Sequence, residues 1–306
     1  MSSSDPSGRA QRDTRARPGD PQQAITEFAP GLYIVSTPIG NLRDITLRAL
    51  DTLASCDEVL AEDTRVARKL LDAHGIRAKV TPYHDHNGAR RRPELIESLL
   101  SGARIALTSD AGTPLVSDPG YKLVREAAAE GIAVHPVPGP SALLAGLVIS
   151  GLPSDRFLFA GFPPPRRAAR RSWLERLEDV PATLVIYESG SRLGQLLADM
   201  ADILGAGRKG AVARELTKLF EETRRGELGD LASHYGEAGP PKGEIMVMAG
   251  PPLPGPARDE DIDSALRSAL RRAPTRAAAD EVAQTMGLSR RAAYQRALKL
   301  KDEGDG

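Results

Sequence analysis

Apolar positions in this chain recur in one form. A short run of Leu, Ile, Val or Tyr breaks off into Gly, Pro and Ser, and a helix-compatible stretch follows. LYIV (32–35) runs into STPIGN, RIALT (104–108) into SDAGTP, and IAVHPV (132–137) into PGPS. EVLAED (58–63) and KVTPYH (79–84) are shorter runs between them. Strand-length runs that alternate with helical patterns predict a parallel or mixed sheet with helices on both faces.

The pattern restarts after Ser150. RFLFAGF (156–162), TLVIYES (183–189), KGAVAREL (209–216) and EIMVMAG (244–250) are strand candidates, with helical stretches such as RRAARRSWLERLEDV and SRLGQLLADMADIL between them. PPLPGP (251–256) reads as a Pro-rich linker. Beyond Asp259 the chain is rich in Ala, Arg and Leu and predicts helices, with Gly287 stopping one and Ser289 capping the next. Its outline resembles a helix-turn-helix. The predicted organisation is a disordered tail over 1–28, α/β domains over 29–150 and 151–252, and a linker with a helical tail over 253–306.

Composition narrows the function classes. The 306 residues are 41% hydrophobic and 27% charged, an ordinary globular balance. Formal net charge is zero, so any polyanion partner must be met by local charge. One cysteine, Cys56, excludes an internal disulfide framework and any Cys-based zinc site, and a reducing cytoplasm is the natural setting. No run of 18 apolar residues predicts a membrane span. The opening MSSSDPSGRAQRDTRARPGDPQQ lacks the apolar core of a secretory signal.

Ligands of open α/β sheets bind beyond the carboxyl ends of strands. Three Gly/Pro loops of the first half belong at that edge. Gly40, Gly112 and Gly139 allow close approach, and Pro38, Pro114, Pro138 and Pro140 stiffen the loops. Thr113 and Ser141 add hydroxyls. Such a cradle suits a flat heterocycle and a ribose. No P-loop and no dinucleotide fingerprint occurs.

YHDHN (83–87) invites a metal reading through His84, Asp85 and His86, but spacing this close on one loop is a poor tetrahedral set. It reads as a substrate-facing loop, and no metal is expected. Basic surface for RNA is clearest in PPPRRAARR (163–171), at Arg166, Arg167, Arg170 and Arg171.

The motifs LYIVSTPIGNLRDIT, AEDTR, SDAGTPLVSDPG, PVPGPSALLAGLVISGLP, IYESGSRL, VARELTK and KGEIMVM occur in that order. The set resembles the tetrapyrrole-methylase-like family of class III methyltransferases. Within that family it most resembles members that methylate a cytidine ribose 2′-oxygen in small-subunit ribosomal RNA. The resemblance implies two α/β domains with mixed sheets, S-adenosyl-L-methionine in the cleft between them, a small helical C-terminal appendage and a homodimer.

It also implies site residues. AGTP stands where relatives carry a GGDP loop around the methyl donor, giving Ala111, Gly112 and Thr113, with Val116 just after. Thr113 replaces an Asp of those relatives. PGPSA gives Ser141 and Ala142, TPIGN gives Pro38, and the second domain gives Tyr187 and Ala213. A ribose hydroxyl needs a base or strong acceptor to attack a methyl group. Glu62, Asp63 and Arg65 in EDTR, Glu188 in YES, and Lys218 in RELTKLFEE are the candidates. Glu215, Lys218 and Glu222 neighbour one another if that stretch is helical. Two alternatives share these features: a same-fold enzyme for a small tetrapyrrole, and a ribosome-assembly factor that binds RNA without chemistry.

Overall fold

Strand β1 (Gly31–Val35) shows why the first half folds as it does. Its side chains alternate between two buried surfaces: Leu32 packs with one cluster, Tyr33 and Val35 with the other. A strand covered on both faces must be apolar on both, which is the run seen in the sequence. The structure is a computed structural model that describes residues 28–116, 119–253 and 259–302. Residues 1–27 of the predicted N-terminal tail, the second half of the Pro-rich linker, and Ser117 and Asp118 lie outside the described residues.

The first half continues through α1 (Leu47–Ser55), β2 (Glu58–Ala61), α2 (Thr64–Ala73), β3 (Val80–Pro82), α3 (Asp85–Leu100), β4 (Arg104–Thr108), α4 (Tyr121–Ala129), β5 (Val134–Val137) and α5 (Ala142–Ser150). The five strands form one sheet in the order β3-β2-β4-β1-β5, and neighbouring strands run parallel. The crossover from β1 to β2 and the crossover from β4 to β5 run in opposite directions along this sheet. Right-handed crossovers then place their helices on opposite faces. Ala49 and Leu53 of α1 lie in one core, and Leu123 and Ala127 of α4 in the other. The adjacent carboxyl ends of β1 and β4 are therefore a topological switch point, where such sheets bind ligands.

The second half holds β6 (Phe157–Gly161), α6 (Arg167–Glu175), β7 (Thr183–Ser189), α7 (Gly190–Leu204), β8 (Lys209–Arg214), β9 (Glu222–Glu227), α8 (Leu228–Glu237) and β10 (Glu244–Ala249). Its sheet order is β6-β7-β10-β8-β9, with β6 and β7 parallel. Leu193, Leu196, Leu197 and Met200 bury one face of α7. The chain separates into two compact units. One comprises residues up to Ser150 with Ala213–Thr223 and Gly243–Met246; the other holds Gly151–Val212, Arg224–Lys242 and the chain from Val247.

Helices α9 (Asp259–Leu270), α10 (Thr275–Met286) and α11 (Arg290–Asp302) pack round their own core of Ile262, Leu266, Ala279, Val282, Ala293 and Leu300. Gly287 ends α10 at a φ of 67°, and the Ser289 hydroxyl accepts the Ala292 N–H at 3.2 Å. Stop and cap fall where the sequence places them. Among the described residues no helix is long and apolar enough to cross a membrane.

One strand is unannounced in the sequence, and two expectations are corrected. ETRRGE, with no apolar run to announce it, is the edge strand β9. YHDHN is no loop: His84 caps α3, with its N–H donating to Asn87 Oδ1 at 2.9 Å, and Asp85 and His86 fill the first turn. RELTKLFEE is not helical after Arg214. Glu215 and Thr217 take left-handed φ values of 49° and 65°, which interrupt any helix.

Candidate functional site

The three Gly/Pro loops of the first unit meet at the carboxyl edge of β1, β4 and β5, and hydroxyls tie them together. Thr37 and Gly112 exchange backbone hydrogen bonds of 2.9 and 3.0 Å, an isolated bridge between the first and second loops. The Thr37 hydroxyl donates to Ser109 O at 3.0 Å, and the Ser109 hydroxyl to Gly112 O at 2.9 Å. Thr113 then joins all three loops: its hydroxyl accepts from Ser36 Oγ at 3.1 Å and donates to Pro140 O at 3.2 Å. These ties use uncharged groups and leave the loops' outer faces open.

Pro38, Ala111, Gly112, Thr113 and Ser141 are thus gathered at one edge. Ala142 opens α5 just beyond, and Val116 is exposed further along the second loop. Gly112 has a φ of +80°, a conformation that side chains strain. Gly139 passes so close to the first loop that a Cβ there would stand 3.0 Å from Ser36 Cβ. A cradle this shallow and close-packed, lined by backbone, fits the flat adenosine part of S-adenosylmethionine. Leu115, at a φ of +75°, adds strain of the kind that accompanies ligand-binding loops.

A pocket of about 520 Å³ opens beside the cradle, lined in part by Pro38, Gly40, Asp110, Ala111, Lys218 and Glu244. Lys218 Nζ lies 2.9 Å from Glu215 Oε1 and 3.0 Å from Glu244 Oε2. Burial opposes its charge, but these two hydrogen bonds outweigh burial and the ammonium pKa is raised. Lys218 is therefore a fixed cation at neutral pH and no proton acceptor. Asn41 N–H donates to the Thr217 hydroxyl at 3.2 Å, so the strained loop is pinned to the first Gly/Pro loop.

Asp63 ends the turn between β2 and α2, and Arg65 is exposed in the first turn of α2. Asp63 Oδ1 caps α2 by accepting the Arg65 N–H at 2.8 Å, and its two oxygens hold the Arg65 guanidinium. The Arg65 side-chain bonds, more than any other cause, bring the Asp63 pKa down to about 2. A carboxylate this acidic is a weak base, which corrects the expectation for Asp63: it caps α2 and orients Arg65. The turn joins the cradle through Asp63 N–H, which donates to Asp110 Oδ1 at 2.9 Å. Sequence reasoning missed that role of Asp110, although the residue lies inside the SDAGTP motif. Glu62 is exposed on the same turn.

The second unit places Tyr187 and Glu188 at the end of β7. Tyr187 packs edge-on against Phe159 and Phe162, with ring centroids 5.0 and 5.6 Å away. The Glu188 side chain is 0% exposed. Its Oε1 accepts the Ser189 N–H at 2.7 Å and Arg192 Nε at 2.8 Å. That position braces the strand end and leaves Glu188 no access to a reacting hydroxyl, a second correction. Ala213 is buried in β8.

The four arginines expected to meet RNA divide. Arg166 and Arg167 are exposed at the start of α6, and Arg167, still 75% exposed, also reaches Asp199 Oδ1 at 3.3 Å. Arg170 is 1% exposed, with its Nη2 2.7 Å from the equally buried Asp199 Oδ2. Arg171 bonds Asp199 at 3.3 Å and Asp202 at 2.6 Å. Arg170 cannot reach a phosphate, and the charge of Arg171 is engaged within the chain. Cys56 is buried, and burial first among causes pushes its thiol up to about 12, as for a small inert core residue. Among the described residues no group of His, Cys, Asp and Glu could hold a metal ion.

Comparison with known proteins agrees with the geometry. The family of Tetrapyrrole (Corrin/Porphyrin) Methylases matches residues 31–232, and the RsmI C-terminal HTH domain matches residues 256–301. A Ribosomal RNA small subunit methyltransferase I of Mesorhizobium japonicum is 55% identical over 280 residues, covering 90% of this chain and 95% of that protein. One of the same name from Erythrobacter litoralis is 52% identical, covering 90% and 96%. The crystal structure of a cobalt precorrin-4 methyltransferase superposes with a TM-score of 0.54 at 18% identity, over 72% of this chain and 94% of that one, a likeness of fold. With two thirds of its length inside the family's match and relatives this similar along nearly all of it, the chain belongs to the tetrapyrrole methylase family.

Proposed function

We propose that this protein transfers a methyl group from S-adenosyl-L-methionine to the ribose 2′-oxygen of a cytidine in the RNA of the small ribosomal subunit, acting in the cytoplasm as a homodimer. The observation that carries the reading is the cradle: three stiff loops, cross-tied by Thr37, Ser109 and Thr113, at a switch point of a parallel sheet. The names of the relatives supply the substrate class. The RsmI-type helical tail favours RNA over a small tetrapyrrole.

When bound, S-adenosylmethionine supplies an electrophilic methyl carbon on a sulfonium. The residues of the chain do the rest. Pro38, Ala111, Gly112, Thr113, Val116, Ser141 and Ala142 hold and orient the donor, with Tyr187 and Ala213 contributing from β7 and β8. Holding two reactants in line removes much of the entropic barrier to displacement. Lys218, kept charged by Glu215 and Glu244, stabilises the negative charge that grows on the ribose oxygen. Arg65, oriented by Asp63, faces a phosphate of the substrate. Glu62, exposed on the same turn, accepts the hydroxyl proton, and such a step contributes about 10²–10⁴-fold. Glu188 acts at a distance by fixing the end of β7. Arg166 and Arg167 meet the RNA backbone.

Small subunits that lack the modification, incubated with methyl-labelled donor, test this directly. Label on a cytidine ribose oxygen is the expected result. Label on a base, or no label, overturns it, and labelling of a porphyrinoid precursor instead would establish the tetrapyrrole alternative.

A further inference from the structure

The loop between β8 and β9 ends in two side chains that stand out into water: Leu219 is 90% exposed and Phe220 65%. Such a pair at a loop tip lowers solubility, and a floppy loop would fold it back against the surface. This loop is not floppy. Glu215 and Thr217 hold left-handed φ values. Thr217 N–H donates to Glu221 Oε2 at 2.6 Å, and Glu221 N–H returns to Lys218 O at 3.1 Å. The Lys218 ammonium clamps the base of the loop between Glu215 and Glu244. Strain of this kind persists only when the surroundings over-determine it. The loop thus presents Leu219 and Phe220 in a fixed direction, and the next residue back, Lys218, lines the pocket beside the cradle.

We propose that Leu219 and Phe220 form a stacking tip that receives an unpaired base of the RNA beside the methyl-donor cradle. This rests on the reading of the substrate as ribosomal RNA. The place of the tip favours a nucleobase over a protein partner. Lys218, the residue before the tip, lines the pocket beside the cradle, so an unpaired nucleotide brought to that pocket passes the tip. Single-stranded RNA sites stack unpaired bases on exposed aromatic side chains. A contact between two copies of the chain is the rival occupant, and the sedimentation coefficient of the tip variants separates it from an RNA base.

The test uses full-length protein and small subunits that lack the modification. Phe220→Ala and the double change Leu219→Ser with Phe220→Ala are expected to weaken subunit binding about 5- to 100-fold. Donor affinity by calorimetry and the sedimentation coefficient stay at wild-type values. Phe220→Trp keeps the affinity, and its fluorescence is quenched when subunits are added. Unchanged subunit affinity in the double variant overturns the proposal. So does a changed sedimentation coefficient, which would make the tip a contact between copies of the chain. If wild-type protein leaves the subunits unlabelled while Phe220→Ala still weakens their binding, the methylation reading fails and the stacking tip stands.

Discussion

The Gly/Pro loops at the edge of the first sheet and the arginine-rich start of α6 are both polar and both firmly tied, but they use their polar groups differently. In the loops, Thr37, Ser109 and Thr113 bind backbone carbonyls, and each tie takes one hydroxyl. With the Thr37–Gly112 backbone bridge, these ties join the loops, and no charge is consumed. On α6, Arg167, Arg170 and Arg171 converge on Asp199 of α7, whose side chain is almost wholly buried. There the charged groups are the ties, and little remains for a partner. A binding site needs groups that are held without being used up, whereas a structural pin uses up what it holds.

Breaking the pin is expected to have the largest effect. Asp199→Ala leaves Arg170 buried without a counter-charge, which costs about 3–5 kcal/mol. Denaturant melts should show that loss, while the protein that remains folded binds donor normally. Next comes the cradle. Gly112→Arg puts a side chain on a residue at a φ of +80° and fills the ligand's place. Donor binding by calorimetry should fall by more than about 100-fold, roughly 2.7 kcal/mol, with the melting curve far less disturbed than for Asp199→Ala. Equal loss of stability in the two variants would erase the distinction between site and pin.

Thr113→Val removes both hydrogen bonds that join the three loops. About 1–2 kcal/mol of stability should go with them, and donor affinity should drop with it. Acid separates the two regions by a smaller margin. Burial opposes the Asp199 charge, but the bonds from Arg170, Arg167 and Arg171 outweigh it and hold its carboxyl below the usual range. With a folded pKa below the unfolded one, the stabilisation is present above about pH 4 and is lost as pH falls through the folded value. The uncharged cradle has no such dependence. The Asp199→Ala variant should therefore show a flatter fall in stability below about pH 4 than the wild type. Smallest is the effect of Arg166→Gln with Arg167→Gln. For every phosphate that is no longer neutralised, the salt slope of RNA binding should fall by about 1, and an unchanged slope would argue that RNA passes elsewhere.

How far the sequence could be read follows from where the determinants lie. LYIV and RIALT announce their strands because both faces of the sheet are covered there, and their loops, like the one after IAVHPV, announce themselves through Gly and Pro. ETRRGE carries no such signal, because an edge strand needs no apolar run. The loop at 215–220 imitates a helix in sequence, since Glu215, Lys218 and Glu222 have helical spacing. Nothing local marks Glu215 and Thr217 as left-handed, as neither is glycine. The run at 166–171 reads as RNA-binding surface because its partner, Asp199, lies about thirty residues away and only the packing of α6 on α7 brings them together.

Hydrogen exchange followed by mass spectrometry, with and without S-adenosylmethionine, examines the cradle most directly. Protection should concentrate in peptides spanning 36–41, 109–116 and 138–142, with the α6–α7 corner around Asp199 unchanged. Protection confined to other segments, with these three loops exchanging as fast as before, would contradict the assignment of the donor site.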